Sequence, residues 1–273
     1  MVIQSIPCRL CASQAKYRFS KRILANTRDC KYFVCEKCGG LQTEIPSWLH
    51  HSYSDTFHMV GVDSAYRSIW AQSLVHYCAS VLRVRGKILD WGGGHGLLCR
   101  LLRDLGHDAW LYDPHTKNLY ASGYQVETLY GFSLITAFEV FEHLADPAAE
   151  AGAIFAAAPD FVIVGTGRFQ GQGSDWDYLF PHHGQHVFFW SRSAHDWIAR
   201  QHGYEVIACG TTVTVYARRL STRRAQRILI GGCEYGAKIT QAVIPFLRRP
   251  GARRDQDEII ALVTSKAASS NYE

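Results

Sequence analysis

At 273 residues, with 47% hydrophobic and 19% charged residues and a net charge of +5, the chain has the balance of a soluble globular protein holding one large domain and a small one. No apolar run approaches the roughly 20 residues of a membrane span, and the apolar start, Met1 to Ile6, is too short for a secretory signal. Nine cysteines without an export signal point to a reducing compartment, the cytoplasm, and to thiols used for something other than disulfides.

Cys8 and Cys11 form one Cys-x-x-Cys pair, and Cys35 and Cys38 form a second. Two such knuckles bring four thiolates to one tetrahedral Zn²⁺, and the residues between them supply a strand pair. Four ligands with no vacancy make such a metal structural. Gly39 and Gly40 suit the tight turn that aims N–H groups at sulfur, and Cys30 is a spare. This is the zinc-ribbon module, 1–45. Residues 46–85 are a linker and a helix. In the linker His50, His51 and His58 read as solvated. The helix is capped by Asp63 or Ser64 and carries Ile69, Trp70, Leu74, Tyr77, Cys78, Val81 and Leu82.

The stretch from Lys87 to Pro114 organises the rest. Ile88 and Leu89 end a strand, and Gly92, Gly93, Gly94 and Gly96 make a turn. Leu97, Leu98, Leu101, Leu102 and Leu105 then stripe a helix that stops at Gly106. Ala109 to Tyr112 is a second strand, followed by Asp113. Strand, glycine turn, helix, strand and acid open a nucleotide-binding βαβ unit. A dinucleotide fingerprint would put its third glycine at position 97, where leucine stands. With Asp90 ahead of glycines 92, 94 and 96, the segment resembles motif I of the class I S-adenosylmethionine-dependent methyltransferases. The resemblance implies S-adenosyl-L-methionine as cofactor, Asp113 on its ribose, and Asp90 on the cationic amino group of its methionine chain. It also implies that the preceding segment covers the cofactor, with Tyr53, Tyr66 and Trp70 as the candidates.

Further on, a short strand is expected at Tyr124 to Leu129 and a buried one at Leu134 to Phe138. The run Glu139-Val-Phe-Glu142-His143-Leu-Ala-Asp146-Pro147 resembles the fourth-strand motif of small-molecule methyltransferases, although the acid often found at the start of that strand is replaced by Phe132-Ser133. A helix from Pro147 to Ala158 and a strand from Phe161 to Gly165 follow. The linker from Thr166 to His186 leaves the carboxyl end of a strand, where α/β sheets place ligands. Loops of this length are uncommon unless functional. A helix to Arg200 and two antiparallel strands, Val206 to Cys209 and Thr212 to Ala217, complete a domain at 86–219. Residues 220–273 form a helical extension with arginines at 223, 224, 227, 248, 249, 253 and 254, read as a solvated basic face.

The fold class is therefore α/β: a Rossmann-like, seven-stranded methyltransferase sheet with a small N-terminal zinc ribbon and a C-terminal helical extension. As a whole the chain resembles bacterial methyltransferases that join a four-cysteine module to this fold, some of which act on sugars or other small metabolites. This implies methyl transfer to a small-molecule acceptor, most simply a hydroxyl of a sugar, glycan or natural-product precursor. A hydroxyl must lose a proton, and histidine suits that task. His183 or His186 is the first choice for base and His143 the second; the alternative is that these rings orient the loop or bind zinc with their neighbours. Glu139 is grouped with the cofactor-binding residues Asp90, Gly92, Gly94, Gly96 and Asp113. An RNA acceptor is the second reading, favoured by the arginines and weakened by Glu139-Val-Phe-Glu where base methylators carry Asn-Pro-Pro-Tyr. A non-catalytic cofactor-binding scaffold is the third.

Overall fold

The computed structural model describes residues 4–50, 52, 64–218, 224–247, 251 and 254–261. Four strands open the chain: β1 (Ser5–Pro7), β2 (Gln14–Ile23), β3 (Arg28–Cys35) and β4 (Leu41–Thr43). They run as an antiparallel meander in which Ala15 pairs Cys35 and Ile23 pairs Arg28. Helix α1 (Ser64–Leu82) leads into β5 (Ile88–Trp91), α2 (Leu97–Asp104) and β6 (Ala109–Tyr112). After these come β7 (Leu134–Phe138), α3 (Pro147–Ala156), β8 (Phe161–Gly165), β9 (Phe188–Phe189), α4 (Arg192–Gln201), β10 (Tyr204–Cys209) and β11 (Val213–Arg218).

The larger sheet has the order β10-β11-β8-β7-β5-β6, with β8, β7, β5 and β6 parallel and β11 antiparallel to both its neighbours. Its central strands are buried on both faces and so read as unbroken apolar runs. Successive residues face opposite sides: Leu89, Ile135 and Val162 meet α3 and α4, while Ile88, Leu134 and Ile163 meet α1 and α2. The strand expected at Tyr124 to Leu129 is reduced to one parallel bridge, Gln125 with Leu111. Asn118, Gly123 and the exposed polar residues around them leave too short an apolar run to extend it.

The cysteine module shares its interior with the large sheet. Cys8, Leu10, Phe33, Cys35 and Cys38 lie in one continuous core with Leu89, Phe188 and Trp190. Strand β9 pairs with β4, not with the large sheet. A further core, with Ile23, Tyr32, Leu41, Trp48, Phe169, Leu179 and Phe189, fills the space between the module and the 166–189 segment.

At the other end α5 (Arg224–Gly231) and α6 (Cys233–Val243) break at Gly232, and Ile230, Cys233 and Ala237 pack with Leu74 and Cys78 of α1. Helical residues 254–261 return to α2. Part of the basic run is engaged: Arg227 pairs with Glu205 at 2.7 Å, and Arg218 donates to the Ala158 carbonyl. Arg219, Arg223, Arg248, Arg249 and Arg253 lie outside the described residues.

Candidate active site

The glycine turn after β5 is built as its composition demands. Gly92, Gly94 and Gly96 all take positive φ, at 69°, 57° and 85°, a region closed to most side chains. A Cβ on Gly94 would meet nothing within 4 Å, so the backbone there faces open space. That space is a cavity of about 640 Å³, lined by Asp90, Gly92, Gly93, Gly94, Phe138 and Glu139 among others and walled by α1 through Tyr66, Arg67 and Trp70. Its volume is that of a small-molecule site. Trp70 meets Phe138 edge-on at 6.3 Å, and Tyr66 stands on the rim, largely exposed.

Asp90 is 2% exposed. Its Oδ1 accepts from Thr136 Oγ1 at 3.1 Å, and its Oδ2 has no partner among the described residues. Burial first, then the charge of Asp113, pushes its pKa up to about 7 against the Thr136 bond. Asp113 and Gly96 do not line the cavity. The Asp113 carboxylate binds backbone instead, taking Gly94 N–H at 2.8 Å on one oxygen and the N–H groups of His115 and Thr116, both at 2.9 Å, on the other.

At the end of β7 Glu139 takes φ 55°, a strained conformation for a side chain with a Cβ. Its N–H donates to Gly165 O at 2.8 Å, and its carboxylate meets Arg67 at 3.5 Å. One 3₁₀ turn further on, Glu142 is fully buried. Tyr178 Oη donates to its Oε1 at 2.6 Å, while Oε2 has no partner. Burial, then the charge of Glu139, raises its pKa to about 8.

The three predicted histidines converge here. His143 and His186 stand perpendicular at 4.9 Å between ring centres, and His183 lies 5.7 Å from His186. His186 Nδ1–H donates to the Tyr178 carbonyl at 2.7 Å, which leaves its Nε2 lone pair free. His143 is bonded to the Gln185 backbone in the sense that favours its protonated ring, so it too donates. His183 differs, because its Nδ1 accepts from Gln185 N–H at 3.3 Å. Burial is the first cause that lowers all three pKa values, His143 to about 3 and His183 to about 4. All three rings are therefore neutral at pH 7.

A family model for a methyltransferase domain matches residues 62–208. The chain belongs to the methyltransferase family. No curated protein matches its sequence. Among solved structures it is similar to magnesium protoporphyrin IX methyltransferase from Synechocystis PCC 6803 with bound SAH, at 11% identity and TM-score 0.43 over 62% of this chain and 92% of that one. It is also similar to the mitomycin 7-O-methyltransferase MmcR, at 14% identity and TM-score 0.44 over 63% and 60% of the two chains. An O-methyltransferase family protein from Burkholderia thailandensis matches at 14% identity and TM-score 0.45, over 63% and 62%.

In this methyltransferase the cysteine module is a wall of the histidine segment. Leu24 and Ala25 N–H donate to the carbonyls of Pro181 and His182, Trp48 Nε1 donates to Gly184 O at 2.9 Å, and Thr43 N–H to Val187 O. Val187 N–H in turn donates to Glu142 O at 2.8 Å. The four thiols themselves cluster, with Cys8 and Cys38 Sγ 3.6 Å apart, Cys11 and Cys35 Sγ 3.4 Å apart, and all four within 4.8 Å. Those separations exceed a disulfide's S–S length of about 2 Å. Backbone N–H groups of Lys37 and Cys38 both point at Cys35 Sγ. The Cys38 thiol holds the Cys8 thiol down to about 5 against the opposing effect of burial.

Sequence reasoning missed Arg67, which lines the cavity and also faces the histidines, and it missed the Tyr178–Glu142 bond. Neither has a local signature. Both depend on chain segments tens of residues apart meeting at one end of the sheet. His50 is exposed, as expected; His51, Tyr53 and His58 lie outside the described residues.

Proposed function

We propose that this methyltransferase takes its methyl group from S-adenosylmethionine and delivers it to an oxygen of a small-molecule acceptor, a hydroxyl of a sugar, glycan or natural-product precursor. The observation that carries the cofactor assignment is Asp90 Oδ2, buried without a partner beside a glycine turn open to the cavity. A buried carboxylate oxygen left unpaired is costly, and an ammonium group matches it in charge and donors. The donor set thus fits: Asp90 for the amino group, Gly92 and Gly94 beneath the ligand, and Trp70 and Tyr66 over it. We assign the ribose hydroxyls to Asp113, whose oxygens keep lone pairs beyond the three backbone N–H groups they accept, and place Glu139 and Gly96 in support of the turn and rim. When bound, the cofactor supplies an electrophilic methyl on a sulfonium.

The acceptor side is assigned to the 166–189 segment and the β7 turn. Its work is to orient the hydroxyl, exclude water and take up a proton. His186, whose Nδ1–H is held by the Tyr178 carbonyl, is the first candidate to take that proton and His143 the second, whereas His183, with its Nδ1 already accepting, would donate to substrate. The four thiols form a donor set suited to a structural Zn²⁺, and we assign that ion to the cysteine cluster.

Calorimetry with S-adenosylhomocysteine tests the cofactor, and transfer of an isotope-labelled methyl to a panel of nucleotide-linked sugars and phenols tests the acceptor. Binding of S-adenosylhomocysteine but not of NAD is expected, with label recovered on oxygen. Tight NAD binding without a response to S-adenosylhomocysteine would overturn the cofactor. Label found only on carbon or nitrogen would overturn the oxygen acceptor.

A further inference from the structure

The buried cluster at the acceptor side holds more than a base needs. One ligand atom each from Glu142, His143 and His186 lies within 4.8 Å of the other two. We infer that these three side chains form a second, non-cysteine site for a divalent transition-metal ion, which holds the acceptor oxygen beside the transferring methyl. The inference rests on the methyltransferase reading above and deepens it.

Several independent features converge on a cation. Glu142 Oε2 is buried and, among the described residues, has no hydrogen-bond partner within bonding distance. The Tyr178 hydroxyl fixes the other oxygen at 2.6 Å. Each imidazole is pinned by a backbone hydrogen bond, His186 to the Tyr178 carbonyl and His143 to the Gln185 backbone. Bonds of this kind from one ring nitrogen commonly set the orientation and tautomer of metal-ligating histidines. A cation also answers the shortage of positive charge beside Glu142, since the Arg67 guanidinium is already paired with Glu139.

The donor set indicates the class of ion and its role. Two imidazoles and one carboxylate suit Zn²⁺, Mn²⁺, Fe²⁺ or Co²⁺ rather than Ca²⁺. Three protein ligands leave positions open, the mark of a catalytic rather than a closed structural site. An acceptor hydroxyl bound there loses its proton to water more readily. Its oxygen electron pair then forms the new C–O bond, the C–S pair returns to sulfur, and S-adenosylhomocysteine leaves.

Cobalt titration of the full-length protein, with its cysteine cluster already loaded with zinc, tests this by optical spectroscopy and calorimetry. The wild type should take one equivalent of Co²⁺ with weak visible d–d bands and without the intense thiolate charge-transfer absorption of a cysteine site. Glu142→Gln, His143→Asn and His186→Ala should each lose that equivalent, and Tyr178→Phe should weaken it by about 10-fold, as removal of a supporting partner does. S-adenosylhomocysteine binding serves as the fold control and separates this inference from the cofactor assignment, because Asp90 and the glycine turn line the cavity whereas Glu142, His143 and His186 are not among its lining residues. No Co²⁺ uptake by the wild type overturns the site, as does uptake that persists unchanged in all four variants. If the ligand variants fail to fold, the wild-type stoichiometry and the Tyr178→Phe shift decide it.

Discussion

On the cofactor assignment proposed above, Asp90 serves function at the expense of stability. Its folded pKa, about 7, lies above the ordinary carboxylate value of about 3.9. The folded protein therefore holds a proton that the unfolded chain has released between those pH values, and stability falls as pH rises through that window. A bound ammonium group favours the ionised carboxylate, so cofactor affinity should move the other way. Calorimetry should show S-adenosylhomocysteine binding strengthening from pH 6 to 8 and levelling above the Asp90 pKa. Asp90→Asn should flatten that profile and weaken binding at pH 8 by about 2 kcal/mol, roughly 30-fold. In the absence of ligand it should raise the denaturant midpoint at pH 8. An unchanged pH profile in the variant would assign the proton to another group.

At the scale of elements, the cysteine module and the histidine segment are one structure. Strand β9 is two residues long and pairs with β4, Leu41 with Phe189 and Gln42 with Phe188. Each Cys-x-x-Cys pair and the glycine turn were legible because each is local, with its residues within a few positions of one another, and the repeat of the same spacing at Cys8/Cys11 and Cys35/Cys38 linked the two pairs. The β4–β9 pairing was not, because a two-residue strand has no periodicity and its partner lies far away in the chain. The same distance hid Arg67 from Glu139 and Tyr178 from Glu142. The Tyr124 to Leu129 strand was over-read, because a few apolar residues near a turn do not make a ladder. One consequence is open to measurement. Cys35→Ser, or removal of the metal by a chelator, should speed backbone hydrogen exchange across 8–43 and also across 181–189, while β5, β7 and β8 keep their protection. Turnover should fall with the exchange of Val187 N–H. Exchange confined to 8–43 would show that the module folds independently of the acceptor side.

For the whole molecule, residues 254–261 close on its centre. Asp255, 2% exposed, accepts from Arg103 Nε at 2.6 Å and Nη2 at 3.0 Å and from Arg100 at 2.8 Å, and Arg103 itself is 3% exposed. The Arg103 guanidinium also lies over the Tyr124 ring, and the Tyr124 hydroxyl reaches Glu258 at 3.1 Å. This clasp holds 254–261 against α2, the helix that follows the glycine turn, and so ties the extension to the element that shapes the cofactor side. Burial alone would raise the Asp255 pKa; the hydrogen bonds from Arg103 and Arg100 reverse that and lower it. A depressed carboxylate pKa adds stability above the unfolded value, near 3.9, and that stability is lost as pH falls through the folded value. Asp255→Ala leaves the buried Arg103 charge with only a 3.3 Å contact to the more exposed Asp108 and its bond to the Ala109 carbonyl, and should cost about 3 kcal/mol in urea unfolding at pH 7. As pH falls through the folded value and wild-type Asp255 is itself protonated, the difference between the two proteins should shrink. The double variant Arg103→Met/Asp255→Leu should recover most of the loss, because the cost lies in the stranded charge rather than in the missing pair. A double variant no more stable than Asp255→Ala would instead assign the loss to packing of the 254–261 segment.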